Sequence, residues 1–103
     1  MLEGYNGYSN YATWCVTLHI ENEYNIYKYY SELLNSLCAE GADEQSIIAE
    51  LAAEIENNLE SECEQISEMI EESAIYNTVW PDLLNECLNT INFREVAQAF
   101  TGY

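Results

Sequence analysis

The stretch 43-DEQSIIAELAAEIENNLESECEQISEMIEE-72 decides the fold. Its apolar positions Ile48, Leu51, Ile55, Leu59, Cys63, Ile66 and Ile70 follow one another at steps of 3, 4, 4, 4, 3 and 4. That spacing lays them along one side of an α-helix. Asp43 stands where a short side-chain oxygen can take a free N–H of the first turn, so it is the expected N-cap. No Gly or Pro interrupts residues 42–80, and the pattern predicts one long amphipathic helix with Asn57-Asn58 as its weakest point.

Upstream, Trp14, Val16, Leu18 and Ile20 mix two periodicities, which by themselves leave a short strand open, and a helix over about Asn10–Asn22 is expected. A second helix is expected from a cap at Asn25 through Ile26, Tyr30, Leu33, Leu34 and Leu37, closing at Gly41, a residue suited to the left-handed C′ position. Downstream, Thr78 and Pro81 predict a helix start, since Pro is tolerated in a first turn whose N–H groups have no intrahelical partner. Leu83, Leu84, Cys87, Leu88 and Ile91 are its expected buried face. Asn92 with Glu95 has the form of a capping box opening a short last helix through Val96 and Phe100. The chain of 103 residues is therefore expected to be a single domain of all-α class. The predicted architecture is a compact bundle of four or five helices with one long acidic amphipathic member, preceded by an irregular Tyr- and Gly-rich arm over residues 1–9.

Charge narrows the function. Asp and Glu number 19 against Lys28 and Arg94, a formal net charge of −17, although charged residues are only 20% of the chain. The sign is unusual rather than the abundance. Such a field repels nucleic acid and anionic membranes and draws in basic surfaces, which excludes direct DNA or RNA binding. With 49% hydrophobic and 13% aromatic residues, the chain has enough apolar surface to fold in spite of its charge.

Cys15, Cys38, Cys63 and Cys87 lie 23, 25 and 24 residues apart, a spacing that matches neither a zinc motif nor a dense disulfide scaffold. They are expected to be reduced and buried. The opening residues show no basic n-region and apolar h-region, and no run of about 18 apolar residues occurs. A cytoplasmic protein of a bacterial host cell, off the membrane, is the expectation.

Two segments resemble a known group. Asn10-Tyr-Ala-Thr13-Trp14-Cys-Val16-Thr-Leu18, with Asn22 and Tyr27, is similar to the NxxTWxVxLxxxN opening of small proteins of unknown function carried by bacteriophages and plasmids. Asp82-Leu83-Leu84, Leu88 and Ile91-Asn92-Phe93 with Glu95, Val96 and Ala97 resemble the closing DLLxxALxxVNWxEIA segment of the same group. Cys15 stands where such sequences often have Asn, and Phe93 where they have Trp. The resemblance covers about 35 to 40 residues, leaves the acidic middle unmatched, and implies a mobile-element origin without bringing any catalytic residue.

The candidate site is on the long helix. Glu56, Glu60, Glu64, Glu68 and Glu72 recur at every fourth residue, flanked by Glu50, Glu54, Glu62 and Glu71; from Glu40 to Glu72 there are 12 acidic residues and no basic one. Like charges four apart weaken a helix by about 0.2–0.5 kcal/mol per pair, so the four pairs of the row cost about 1–2 kcal/mol together. A phosphate-like surface is the functional explanation, with Glu50, Glu54, Glu56, Glu60, Glu64, Glu68, Glu71 and Glu72 as partner-binding residues. A plain solvated face is the alternative, and salt adaptation is a third explanation that two Asp against 17 Glu disfavour.

Nine tyrosines suit either packing or an interface, and Trp14 and Trp80 are expected in the core. Catalysis has little support: His19 is the lone histidine, no nucleophile sits at a spacing that pairs with it, and no metal-ligand motif occurs. No catalytic residue, metal or cofactor is expected. The function these features predict is a phage-type inhibitor acting as an acidic nucleic-acid mimic in the basic groove of a host defence nuclease, either a CRISPR effector or a restriction enzyme. Its partner is then a basic nucleic-acid-binding protein. The alternative is an acidic adaptor that docks on a basic host protein without displacing nucleic acid. The oligomeric state stays open, a homodimer included.

Overall fold

The computed structural model describes residues 5–103, and the first four residues of the expected arm lie outside them. The described chain forms five helices, α1 (Tyr11–Asn22), α2 (Tyr24–Ala39), α3 (Glu44–Ser73), α4 (Val79–Thr90) and α5 (Phe93–Thr101). The all-α bundle with one long acidic helix is thus present.

Each boundary has a local cause. The Asp43 carboxylate accepts from the Ser46 N–H at 2.8 Å and caps α3. Helix α2 closes on Gly41 at φ 82°, where Gly41 N donates to the Cys38 carbonyl and Ala42 N to that of Leu37. That is a Schellman closure, which needs a residue at home in the left-handed region. The Asn57-Asn58 pair does not loosen α3; Asn58 Nδ2 donates to the Tyr30 hydroxyl at 3.0 Å and ties α3 to α2.

The start of α2 differs from expectation. Glu23 alone separates α1 from α2: its N–H donates to the His19 carbonyl while its carbonyl accepts from Tyr27 N. One extended residue serves both helices, which leaves Asn25 inside the first turn rather than at a cap. In α4, Pro81 is the third helical residue, where its missing N–H costs no hydrogen bond, and Thr78 makes no side-chain cap.

The arm is not irregular over its described part. Tyr5 and Tyr8 exchange both backbone hydrogen bonds, at 2.7 and 2.8 Å, around Asn6 and Gly7 at φ 48° and 90°. Two successive residues at positive φ make a tight Asn-Gly turn. The Tyr5 ring then packs on Trp14 and Tyr11 with centroids 4.9 and 5.1 Å away.

The core gathers around the N-terminal half of α3. Ile47, Ile48, Leu51 and Ile55 meet Ile20 of α1, Tyr30 and Leu37 of α2, and Val96 and Ala97 of α5. Beyond Ile55 the stripe opens: Cys63 is buried, Leu59 and Ile70 are half-buried and Ile66 is exposed. Helix α4, which lies along α3, has no buried residue. The expected buried face of α4 is corrected accordingly, with Leu84, Leu88 and Ile91 half-buried and Leu83 and Cys87 exposed. Trp80 is exposed and Trp14 half-buried, so neither is core. Only Cys63 of the four free thiols is buried; Cys15 is half-buried, and Cys38 and Cys87 are exposed. The radius of gyration, 15.3 Å, exceeds the roughly 13 Å of a spherical domain of this length, because α3 extends past the core.

Candidate partner-binding surface

The N- and C-terminal segments of the described chain hold one another through polar groups gathered around the buried Thr13. Thr13, with no exposed surface, donates its hydroxyl to Asn10 Oδ1 at 2.8 Å and accepts from Asn92 N at 2.9 Å. Asn10 also caps α1 by accepting from Thr13 N and donates its Nδ2 to the Thr90 carbonyl at 2.7 Å. Asn92 Oδ1 accepts from Glu95 N, the cap expected of it. The other half of the expected capping box is absent: the Glu95 carboxylate instead accepts from Ser9 N at 2.8 Å. Asn10, Thr13, Asn92 and Glu95 thus form a structural tie, with α3 outside it.

Helix α3 runs unbroken through the acidic row. Glu50, Glu56, Glu60, Glu64, Glu68, Glu71 and Glu72 are all exposed. Glu54 differs: half-buried, it accepts from the Tyr29 hydroxyl at 2.5 Å, and this hydrogen bond raises the Tyr29 phenol above its ordinary value. Seven of the eight expected site residues thus stand free in solvent, and Glu54 is partly engaged within the fold.

The row from Glu56 to Glu72 winds along the side of α3 opposite its apolar stripe, each step climbing about 6 Å and turning about 40°. From Glu50 to Glu72 the helix rises about 33 Å and carries nine carboxylates. This is one charge per roughly 3.7 Å, close to the 3.4 Å spacing along one strand of DNA. Carboxylates accept hydrogen bonds without donating any, as phosphate oxygens do. The two cations lie off this face, Lys28 in α2 and Arg94 in α5, where Arg94 donates to Gln45 Oε1.

Two surfaces escaped the sequence pattern. A cleft of about 580 Å³ opens between α1, α2 and α3, floored by Ile20, Ile55 and Leu59 with His19, Tyr29 and Glu62 among its polar lining. It is built from residues of three helices, and no single-helix periodicity points to it. The second is apolar: Met69, Ile75, Tyr76, Trp80 and Leu83 are exposed at 71, 93, 66, 47 and 52%. The Tyr76, Trp80 and Leu83 spacing is a helical signal in the sequence, but spacing alone does not say whether the shared face is covered.

Among the described residues no group of three or more His, Cys, Asp or Glu side chains is placed to hold a metal ion, and no helix is long and apolar enough to cross a membrane. No protein-family model, curated protein or solved structure matches the chain.

Proposed function

We propose that the protein is a stoichiometric inhibitor that occupies the basic nucleic-acid groove of a partner with the carboxylates of α3. The carrying observation is the exposed row Glu56, Glu60, Glu64, Glu68 and Glu72 on one unbroken helix, with a carboxylate about every 6 Å along it. Basic grooves derive most of their nonspecific affinity from neutralising phosphates and releasing counterions. A fixed line of carboxylates competes for the same Lys and Arg side chains. The resemblance to phage- and plasmid-borne proteins suggests a host defence nuclease as the partner, a CRISPR effector or a restriction enzyme.

The alternative is an acidic adaptor that docks without displacing nucleic acid. The exposed apolar residues of α4 favour it, because phosphate mimicry alone has no use for them. Competition separates the two. The immobilised chain is used to capture basic proteins from bacterial extract, and duplex DNA is then titrated against the identified partner. Mimicry predicts that DNA and the chain exclude one another and that binding weakens steeply with salt, since exposed charges are screened beyond about 8–10 Å at physiological ionic strength. A ternary complex, or affinity indifferent to salt, contradicts it.

A further inference from the structure

Helix α4 carries two apolar faces, and the fold uses one. Pro81, Leu84 and Leu88 are half-buried, and Asn85 Oδ1 lies 3.9 Å from Cys63 Sγ, which fixes this side of α4 against α3. The other face is Tyr76, Trp80, Leu83 and Cys87, at steps of 4, 3 and 4, all exposed. Tyr76 belongs to it because its carbonyl accepts from both Val79 N and Trp80 N, so the preceding turn runs straight into the helix. A 4-3-4 seam is the pattern by which one helix receives the side chains of another. Exposed apolar surface of this extent marks an interaction site.

The surroundings of the seam select its occupant. Glu86 flanks it on α4, with Asp82 on the outer side of the same helix, Glu68, Glu71 and Glu72 stand at the adjoining end of α3, and neither helix contains a basic residue. A second copy of the chain would bring a further −17 charge and oppose carboxylates to carboxylates, which is unfavourable. A helix with Lys or Arg beside its apolar face meets opposite charge at the flanking positions instead.

We infer that the Tyr76–Trp80–Leu83–Cys87 seam of α4 docks an amphipathic helix of a partner protein, apolar at 3–4 spacing and flanked by Lys or Arg. The inference shares with the proposed function the partner's basic character and the Glu68–Glu72 end of α3, while the seam itself is built on α4 and the turn before it.

The probe is an 18-residue synthetic peptide with Leu at heptad positions and Lys beside them, used in physiological salt. Two peptides serve as controls: the same composition scrambled, and the heptad sequence with Glu for Lys. The native chain is expected to bind the Lys-flanked helix at least about tenfold more tightly than either control. Y76S/W80S/L83S is expected to weaken it about tenfold, while E50Q/E56Q/E60Q, in the half of the acidic segment away from the seam, stays within about threefold of native. Should the triple Ser variant not fold, L83Q, at a half-exposed position, carries the comparison. Equal binding of the scrambled peptide, or seam variants that bind as the native chain does, overturns the inference. So does sedimentation showing a native dimer that the seam variant dissociates, since the occupant would then be a second copy. Failure of the α3 row to inhibit leaves these outcomes unchanged, so the two accounts fail separately.

Discussion

Replacing Thr13 by Val keeps the shape of the side chain and removes its hydroxyl. Two contacts disappear with it, the local 2.8 Å donation to Asn10 Oδ1 and the 2.9 Å bond accepted from Asn92 N, 79 positions away. Thr13 is fully buried and its bond to the Asn92 amide is part-buried, so that amide loses its acceptor beside a buried side chain. A typical hydrogen bond contributes about 1 kcal/mol, and an orphaned donor costs about 1–3 kcal/mol. The expected loss is about 2 kcal/mol, or a melting temperature lower by about 10 °C for a domain of this size. Thr17→Val is the internal control. Thr17 is just as buried, in the same helix, but its hydroxyl only donates to the Thr13 carbonyl at 3.0 Å, an acceptor the helix ladder already uses. Its loss orphans nothing and should cost less than about 0.5 kcal/mol. Thermal and urea unfolding followed by circular dichroism measure both variants. A Thr13→Val variant as stable as native, or two variants equally destabilised, would refute the tie between the N- and C-terminal segments.

Burial raises the Tyr30 phenol above its ordinary 10.0, with the Asn58 amide opposing and neighbouring charges adding to the shift. A group raised in the folded state contributes stability fully present below its unfolded value and lost as pH rises through the folded one. Melting temperature should therefore fall as pH climbs past about 10, and Tyr30→Phe should flatten that decline; an unchanged alkaline limb would contradict the assignment. The four free thiols should label in order of exposure, Cys38 and Cys87 rapidly and Cys63 only on unfolding. Mass spectrometry during timed alkylation reads this directly, and early modification of Cys63 would contradict its burial.

The long helix was legible because three independent signals agreed in residues 43–72: an apolar stripe, an Asp at the cap, and no breaker. Gly41 and Asn92 were legible for the same local reason, since a left-handed closure and an N-cap depend on near neighbours. What failed depends on contacts distant in the chain. Glu95 is placed three residues after a cap, yet its carboxylate goes to Ser9 N, 86 positions away. Trp80 and Leu83 have helical spacing, but periodicity marks which residues share a face and leaves open whether anything covers it. Both lie beyond the core that Ile47, Ile48, Leu51 and Ile55 define. The acidic row could be listed residue by residue from its spacing, whereas the engagement of Glu54 by Tyr29 needed the packing of α2 on α3. The Asn6-Gly7 turn is a local signal of the kind that marks tight hairpins, and composition alone had made it an irregular arm.

The row itself is tested by changing Glu60, Glu64 and Glu68 together to Gln, which keeps side-chain length and helix propensity while removing three charges. All four like-charge pairs of the row disappear, and the helix should gain about 1–2 kcal/mol at most. Thermal melts and titrations of the partner's nuclease activity on one preparation read the two consequences together. Phosphate mimicry predicts a variant that is more stable and has lost much of its inhibition, because each carboxylate meets a Lys or Arg in the groove. A stabilised variant that inhibits at full strength would contradict it.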